Sequence, residues 1–294
     1  MISRFVRDRR LWGVAACALI AAAGCAAQRP TGLPALASPA TEKHRVGEFV
    51  WFDLLVDNPD EAKKFYGPLF GWTFEPLDGG DQGYDTIVHR GRPIGGILQH
   101  ESENDTKPDD IWLASMSVAD VDRAVGQAER GGGRVLRQPK RVGERGRVAI
   151  VEDLEGAAFA LMRTPNGDPA AASEQAGDFH WVQLWARDYE VSIKFYGDVA
   201  GWEIGEVLAH DKIDEGFFEA NGTEVASVIE LPWENVQPNW LPYVGVEDVE
   251  QTLTKAEKLG GRVLIRGKHL AILADSQGAA IGIVPLETKS RSDR

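Results

Sequence analysis

Cysteine and histidine, the residues most often used as nucleophiles and transition-metal ligands, are few in this sequence. Its two cysteines are Cys17 and Cys25, and Cys17 lies within an apolar N-terminal run that has the character of a removable segment. The single remaining cysteine forms no disulfide within the chain and no cysteine metal cluster. A lone histidine is more often a surface or hydrogen-bonded residue than a metal ligand. The histidines are all lone in this sense, with no pair at i, i+2 or i, i+4 spacing: His44, His89, His100, His180, His210 and His269.

The N-terminal sequence predicts a role for Cys25. Four arginines between residues 4 and 10 precede an apolar run over residues 11–23, which is shorter than the roughly 20 residues that span a bilayer. This pattern predicts a signal peptide over residues 1–24. Ala22-Ala23-Gly24-Cys25 resembles a bacterial lipobox, so we expect Cys25 to be lipidated and the protein to be extracytoplasmic, anchored to a bacterial membrane. An ordinary secretory peptide with a chance cysteine is the alternative.

Length, composition and net charge limit the domain organisation and the kinds of partner that the protein could bind. The 294 residues suggest about two domains, and the net charge of −13 argues against nucleic-acid binding, which needs a basic face. Residues 25–44 contain three prolines and no periodicity, and we expect them to form a tether between the anchor and the folded part. Gly131-Gly132-Gly133 follows a helical pattern and indicates a helix end, not a phosphate-binding loop.

An internal repeat organises the rest of the chain. The motif from Phe65-Tyr66-Gly67 to Gly71-Trp72 recurs 130 residues later, at Phe195-Tyr196-Gly197 and Gly201-Trp202. The segment 132–136 recurs after 128 residues, and Asp153 with Gly156 recurs after 122. The second copy is therefore six residues shorter between these last two motifs, which marks residues 137–147 of the first copy as a surface hairpin.

Each copy repeats one strand-helix-strands pattern twice. A strand over residues 49–56 leads into Asn58-Pro59, a helix cap followed by proline, and apolar residues at 62, 65, 66 and 69 then form one helical face. The same pattern follows the strand over residues 111–118. We therefore predict an α+β protein of four βαβββ units in two domains, 45–163 and 179–288, joined by a linker over 164–178 and followed by a tail over 289–294.

These motifs resemble the vicinal oxygen chelate superfamily, which includes glyoxalase I, extradiol dioxygenases and bleomycin-resistance proteins. The resemblance rests on the strand-Asp-helix opening that ends in Phe-Tyr and Gly-Trp, on Val118-Ala119-Asp120-Val121 with its repeat at residues 246–249, and on the Asp-x-x-Gly turns at Asp153 and Asp275. It implies that two βαβββ units per domain form a curved sheet around a cavity, where the enzymes of the superfamily hold one divalent metal.

The resemblance also implies where the metal ligands would stand. On the opening strand they fall at Trp51 and Trp181, on the strand that opens the second unit at Leu113 and Leu241, and on the last strand at Ala160 and Gly282. The fourth position falls near Leu98 or Gln99 in the first copy and near Ile229 or Glu230 in the second. At most one oxygen donor remains per copy, whereas Zn²⁺, Fe²⁺ or Mn²⁺ needs three or more ligands. We therefore expect no metal cofactor.

Strand alternation extends these positions to a candidate ligand-binding surface. In the first copy it comprises Trp51, Asp53, Leu113, Ser115 and Ala160, and in the second Trp181, Gln183, Trp185, Leu241, Tyr243 and Gly282. Aromatic walls with a few polar groups are typical of a small-molecule pocket. Tryptophans that fill a collapsed core are the alternative. Four other tryptophans flank helices, and we expect them to be packing residues: Trp72, Trp112, Trp202 and Trp240.

Three functions remain open. The leading hypothesis is a lipid-anchored module that binds an apolar or aromatic small molecule without metal, as bleomycin-resistance proteins bind drugs. The second is a glyoxalase-like or hydroxylase-like enzyme with a displaced metal or none, in which Asp53 is the candidate base. The third is a degenerate scaffold that contacts envelope proteins. Five basic residues of the first copy's hairpin could meet an anionic partner, although a solvated hairpin is the simpler expectation: Arg137, Lys140, Arg141, Arg145 and Arg147.

Overall fold

A computed structural model gives the architecture of the chain. It describes residues 32–77, 83–99, 110–171, 175–210, 213–231, 236–267 and 270–286. The predicted signal peptide, Cys25, the C-terminal tail, His100 and His269 lie outside the described residues. Within the described ranges, no helix has the length and apolar character needed to cross a membrane.

The first domain consists of two βαβββ units whose strands join into one sheet. The first unit comprises β1 (Phe49–Val56), α1 (Pro59–Phe70), β2 (Thr73–Pro76), β3 (Tyr84–His89) and β4 (Arg92–Gln99). The second comprises β5 (Ile111–Ser117), α2 (Val121–Arg130), β6 (Arg134–Val142), β7 (Gly146–Glu152) and β8 (Ala158–Arg163). The strand order is β2-β3-β4-β1-β5-β8-β7-β6. The opening strands β1 and β5 therefore lie side by side at the centre, antiparallel to each other.

The second domain repeats this plan. Its units comprise β9 (Phe179–Ala186), α3 (Tyr189–Ala200), β10 (Glu203–His210), β11 (Ile213–Ala220) and β12 (Thr223–Glu230), then β13 (Asn239–Val246), α4 (Val249–Lys258), β14 (Arg262–Arg266), β15 (Ala271–Ala274) and β16 (Ala280–Pro285). The strand order is β10-β11-β12-β9-β13-β16-β15-β14, the exact counterpart of the first sheet. The predicted α+β fold of four βαβββ units is confirmed.

Local signals in the sequence fix the helix ends. The Asn58 side chain accepts hydrogen bonds from the backbone N–H groups of Asp60 and Glu61, which satisfies donors that the first turn of α1 leaves free. The helix ends at Gly71, whose φ of 76° is left-handed and therefore suits glycine. In the same way Asp120 and Asp248 cap α2 and α4 by accepting from the backbone N–H three residues on.

The two domains share one apolar core. Phe52 and Leu54 of β1 point towards this core, and the Phe52 ring stacks on Phe179 of the second domain with ring centroids 4.3 Å apart. The four tryptophans that flank the helices are buried here, so their predicted packing role is confirmed. Two of them join the domains by hydrogen bonds, since Trp72 Nε1 donates to the Gly177 carbonyl at 2.6 Å and Trp202 Nε1 donates to the Gly47 carbonyl at 2.8 Å.

The described part of the predicted tether, residues 32–44, lies against the first domain. Leu36 and Ala37 are buried, and the backbone N–H of Thr41 donates to the Asn166 carbonyl at 3.1 Å. In the linker, Asp168 and Asp178 are also buried and hydrogen-bonded. Residues 32–44 of the tether are thus packed on the domain and do not act as a free spacer.

Candidate ligand sites on the two concave faces

Alternation along β1 divides its side chains between two environments. Phe52 and Leu54 enter the shared core, whereas Trp51, Asp53 and Leu55 point to the opposite, concave face of the sheet. There Leu55 forms an apolar cluster that contains three further side chains expected on this face or near it: Leu98, Leu113 and Ala160. Ser115 lies opposite Trp51 in the ladder and is buried. The strand periodicity therefore placed these side chains on the correct face.

A charged cluster occupies the middle of this face. Arg145, in the 3-10 turn Gly143–Arg145 between β6 and β7, is only 2% exposed, and its Nη1 lies 3.4 Å from Asp53 Oδ2. Its Nη2 donates to the Tyr84 hydroxyl at 2.7 Å, while Trp51 Nε1 and the Tyr84 hydroxyl each donate to Asp53 Oδ1 at 2.9 Å. The guanidinium also lies about 5 Å from the ring centres of Trp51 and Tyr84, within cation–π range.

This geometry corrects the expectation of a solvated hairpin for Arg145 alone, which is a buried residue of the concave face, whereas Lys140, Arg141 and Arg147 are exposed. Burial alone would lower the pKa of Arg145, but Tyr84 and Asp53 raise it by more, so the guanidinium remains charged. Burial, with the Asp53 carboxylate beside it, raises the pKa of Tyr84, so the phenol keeps its proton and acts as a donor. Asp53 therefore meets three donors and serves as the anchor of this cluster.

Glycine makes the cluster possible at one position. Gly96 of β4 pairs with Asp53, and a Cβ at Gly96 would lie 2.4 Å from Asp53 Oδ1 and 2.0 Å from the Tyr84 hydroxyl. A side chain here would therefore displace the hydrogen bond between Tyr84 and Asp53. The corresponding position in the second domain, paired with Gln183, is Ser227, so the two faces cannot carry the same cluster.

The second domain has a hydrogen-bond network centred on an amide in place of the ion pair. Gln183 stands at the position of Asp53, and its Oε1 accepts from Trp185 Nε1 at 3.0 Å and from the Tyr243 hydroxyl at 2.9 Å. Its Nε2 donates to Glu215 Oε1 at 2.7 Å, while Ser227 Oγ accepts from Trp181 Nε1 at 2.9 Å. Burial raises the pKa of Tyr243, with Glu215 adding to the shift, so this phenol also stays protonated.

An apolar rim surrounds this network. Trp185, Leu241, Tyr243 and Ile272 form a buried floor, and Gly282 pairs with Tyr243 within it. A Cβ at Gly282 would lie 2.2 Å from the Tyr243 ring, so glycine lets the ring lie flat on the sheet. Around the floor stand partly exposed apolar side chains, which we call the domain 2 rim: Trp181, Ile229, Leu231, Val236, Ile265, Leu270, Ala280 and Val284.

Comparison with protein-family models identifies the superfamily of this chain. The family model described as "Glyoxalase/Bleomycin resistance protein/Dioxygenase superfamily" matches residues 48–161 and 178–271, which is most of the chain and both domains. The chain belongs to this superfamily. The two matched segments correspond to the two copies of the repeat, so the resemblance seen in the motifs is confirmed.

Several relatives are similar over most of their length. The Mycobacterium tuberculosis protein CFP32, provisionally named a glyoxylase, is 28% identical over 84% of this chain and 97% of its own. The anthracycline biosynthesis protein DauV of Streptomyces sp. is 30% identical over 82% of this chain and 94% of its own. Among solved structures, the Mn(II)-bound glyoxalase of Novosphingobium aromaticivorans has a TM-score of 0.59 at 15% identity and covers 83% of each chain, which supports the fold alone.

Metal enzymes in this superfamily raise the question of whether the present side chains fit a divalent ion. Among the described residues, no group of three or more His, Cys, Asp or Glu side chains could hold a metal. On the first face Asp53 is paired with Arg145, and on the second the Gln183 amide already donates to Glu215. These donor sets do not fit the three or more ligands that Zn²⁺, Fe²⁺ or Mn²⁺ requires.

Sequence reasoning missed four polar residues of the two sites. Arg145 was expected in a solvated hairpin, and Tyr84, the first residue of β3, was not among the residues predicted for the ligand-binding surface. Glu215 and Ser227 occupy the ladder positions that match Tyr84 and Gly96. Their alignment with β3 and β4 across the repeat was the signal that could have found them. The ligand-binding roles of the predicted residues, and Asp53 as a base, stay predictions.

Proposed function

We propose that this protein binds a flat apolar or aromatic small molecule on the concave face of the second domain, without a metal. The observation that carries the proposal is the domain 2 rim, a set of partly exposed apolar side chains packed against a buried cluster that also carries polar hydrogen-bonding groups. Such a combination of apolar walls and a few fixed polar groups is typical of ligand sites. On the first domain the corresponding face is filled by Arg145 and covered by Leu33 and Leu36.

The residues of the second face suggest distinct roles. Trp181 is partly exposed, and its ring centre lies 6.1 Å from that of Phe217, so the two aromatic rings offer a wall for a flat molecule. Glu215 is also partly exposed, and it lies at the open side of the network beside Gln183. A donor group on the ligand would therefore find an acceptor at Glu215, which would fix the orientation of the molecule.

One relative supports an aromatic ligand. DauV carries the name of an anthracycline biosynthesis protein, and anthracyclines contain fused aromatic rings. A molecule of this shape would match the aromatic wall and the apolar rim of the second domain. The proposal for the present chain extends only to this chemical class, a flat ring system with at least one hydrogen-bond donor.

The test is a fluorescence titration with 1-anilinonaphthalene-8-sulfonate as the probe. We expect saturable binding that Trp181→Ala weakens about tenfold or more, equivalent to roughly 1.4 kcal/mol. Leu264→Ala is the matched control, because Leu264 is 48% exposed on β14 and does not belong to the rim. Equal affinity of wild type and Trp181→Ala would overturn the location of the site.

Metal content tests the other half of the proposal. Elemental analysis of the purified protein should show less than one divalent ion per chain, and added chelator should leave probe binding unchanged. One tightly bound equivalent of Zn²⁺, Fe²⁺ or Mn²⁺ would instead favour a glyoxalase-like or dioxygenase-like enzyme. In that case loss of turnover in Asp53→Asn would support Asp53 as its base.

We further propose that the protein is exported and anchored through a lipid on Cys25. The basic start, the apolar run and the small residues before Cys25 support this location. In a bacterial host the wild type should enter the detergent phase of a Triton X-114 extract, whereas Cys25→Ser should enter the aqueous phase. Mass spectrometry that finds residues 1–24 still attached, or Cys25 unmodified, would refute this location.

A further inference from the structure

The concave face of the first domain is covered by a short segment without regular secondary structure, residues 33–37, which we call the strap. Leu36 is 5% exposed and packs on Trp51 and Met162. Leu33 packs on the apolar cluster that surrounds Leu55 and Tyr84. Both leucines of the strap therefore rest on side chains of the face where a ligand of this domain would lie.

The strap is held at its first residue and by the chain that follows it. The Leu33 carbonyl accepts from the backbone N–H groups of Glu144 and Arg145, at 3.0 and 3.2 Å. Beyond the strap, the backbone N–H of Asp168 donates to the Lys43 carbonyl at 2.7 Å, and the Arg45 N–H donates to the Asp168 carboxylate at 2.8 Å. Hydrogen bonds at two separate places give the strap a fixed register on the face.

The turn that receives the strap lies in a stretch that differs between the two copies. Glu144 and Arg145 lie in the 3-10 turn between β6 and β7, inside the stretch that is six residues longer in the first copy. The same turn delivers Arg145 to the cluster with Asp53. Gly143 provides the space, because a Cβ at Gly143 would lie 2.3 Å from the Gly32 Cα. The turn thus both fills the face and holds the segment that covers it.

We infer that the concave face of the first domain is a peptide-binding site, whose ligand is the apolar segment 33–37 of the same chain. The recognition elements are the two apolar clusters that receive Leu33 and Leu36 and two backbone donors from the turn, which suit a short peptide with leucines three residues apart and a bend at the second. The consequence is that the strap occupies the face of the first domain and leaves that of the second domain for a small molecule. This division rests on the proposed function, whereas the peptide site does not.

Hydrogen exchange measured by NMR tests the peptide site without any small molecule. In full-length mature protein, Leu36→Asp places a carboxylate against Trp51 and should release the strap. We expect the amides of Glu144 and Arg145 to exchange about 100-fold faster than in wild type, because their acceptor has left. Ala40→Asp is the control on the same segment, since residue 40 is exposed, and it should leave both amides protected.

Two further experiments distinguish release of the strap from a general loss of structure. A synthetic peptide of residues 30–40 should restore protection of the Glu144 and Arg145 amides in Leu36→Asp. Gly32→Val should release the strap without changing either leucine. Unchanged exchange in both variants, or no rescue by the peptide, would overturn the peptide site. If the wild type binds no probe while the variants show the expected change in amide exchange, the proposed function is refuted and the peptide site is not.

Discussion

Replacing Arg145 by methionine tests the charged cluster of the first domain directly. Methionine has a similar length and no charge, so the variant leaves the Asp53 carboxylate on the concave face without its guanidinium partner. Asp53 has only 13% of its side chain exposed, so water compensates little for the lost charge. We therefore expect a large loss in the free energy of unfolding, although the residue lies in a hairpin turn.

The geometry sets the scale of the effect. At 3.4 Å the attraction between the two charges is about 5 kcal/mol for an effective dielectric constant of roughly 20, and desolvation of both groups offsets much of it. Removing one partner of such a buried pair costs about 3–5 kcal/mol, because the other charge stays buried. Arg141→Met is the matched control on the same hairpin, since Arg141 is exposed and its loss should change stability by less than about 0.5 kcal/mol.

The assay is equilibrium unfolding in urea, followed by both tryptophan fluorescence and far-ultraviolet circular dichroism. In Arg145→Met with Asp53→Asn, the loss should be smaller than the sum of the single losses by about 2 kcal/mol, since the two side chains interact. A loss below about 1 kcal/mol for Arg145→Met, or strict additivity with Asp53→Asn, would refute the buried ion pair.

Three further predictions concern the rest of the molecule. Tyr243→Phe removes the hydroxyl that donates to Gln183, and it should lower the unfolding free energy by about 1 kcal/mol, checked by urea denaturation; an unchanged midpoint would contradict it. Trp202→Phe leaves the Gly47 carbonyl without its donor, and it should lower the unfolding free energy by about 1–3 kcal/mol in the same assay, an effect that would be absent if the domains packed independently. Burial raises the pKa of Asp153 in the folded state, partly opposed by hydrogen bonds, so its contribution to stability is present below the unfolded pKa of about 4 and is lost as pH rises through the folded pKa. As pH rises through this acidic window, the thermal midpoint of the wild type should fall, and in Asp153→Asn it should fall less. An identical fall in wild type and variant would exclude Asp153 as its source.

The fold could be predicted because its determinants are local and occur twice. Helix starts follow from side chains that bond within three residues, as at Asn58 and Asp120, and helix ends follow from glycine at a left-handed position, as at Gly71. Strand faces follow from a period of two, which separated Trp51 and Asp53 from Phe52. A repeat with consistent spacing then supports each assignment with an independent copy.

The site could be predicted only in part, since its polar network depends on distant pairing. Asp53 was found through alternation, but its partner Arg145 comes from a turn 92 residues away whose flanking glycines, Gly143 and Gly146, reverse the chain. A basic hairpin in an acidic chain has the composition of a solvated segment. The strap was missed for a related reason, because proline-rich residues without periodicity give no sign that Leu33 and Leu36 are seated on a face.

The paired tryptophan bonds between the domains carry an evolutionary consequence. Trp72 of the first copy binds the Gly177 carbonyl of the second, and Trp202 of the second binds the Gly47 carbonyl of the first, with equivalent positions 130 residues apart in each case. Such reciprocity is the signature of a two-fold interface between identical subunits. It is the contact pattern that duplication and fusion of the gene of a one-domain homodimer would leave. In a homodimer every change alters both faces together, whereas the fused chain was free to acquire a turn and a strap on one face and keep the other open.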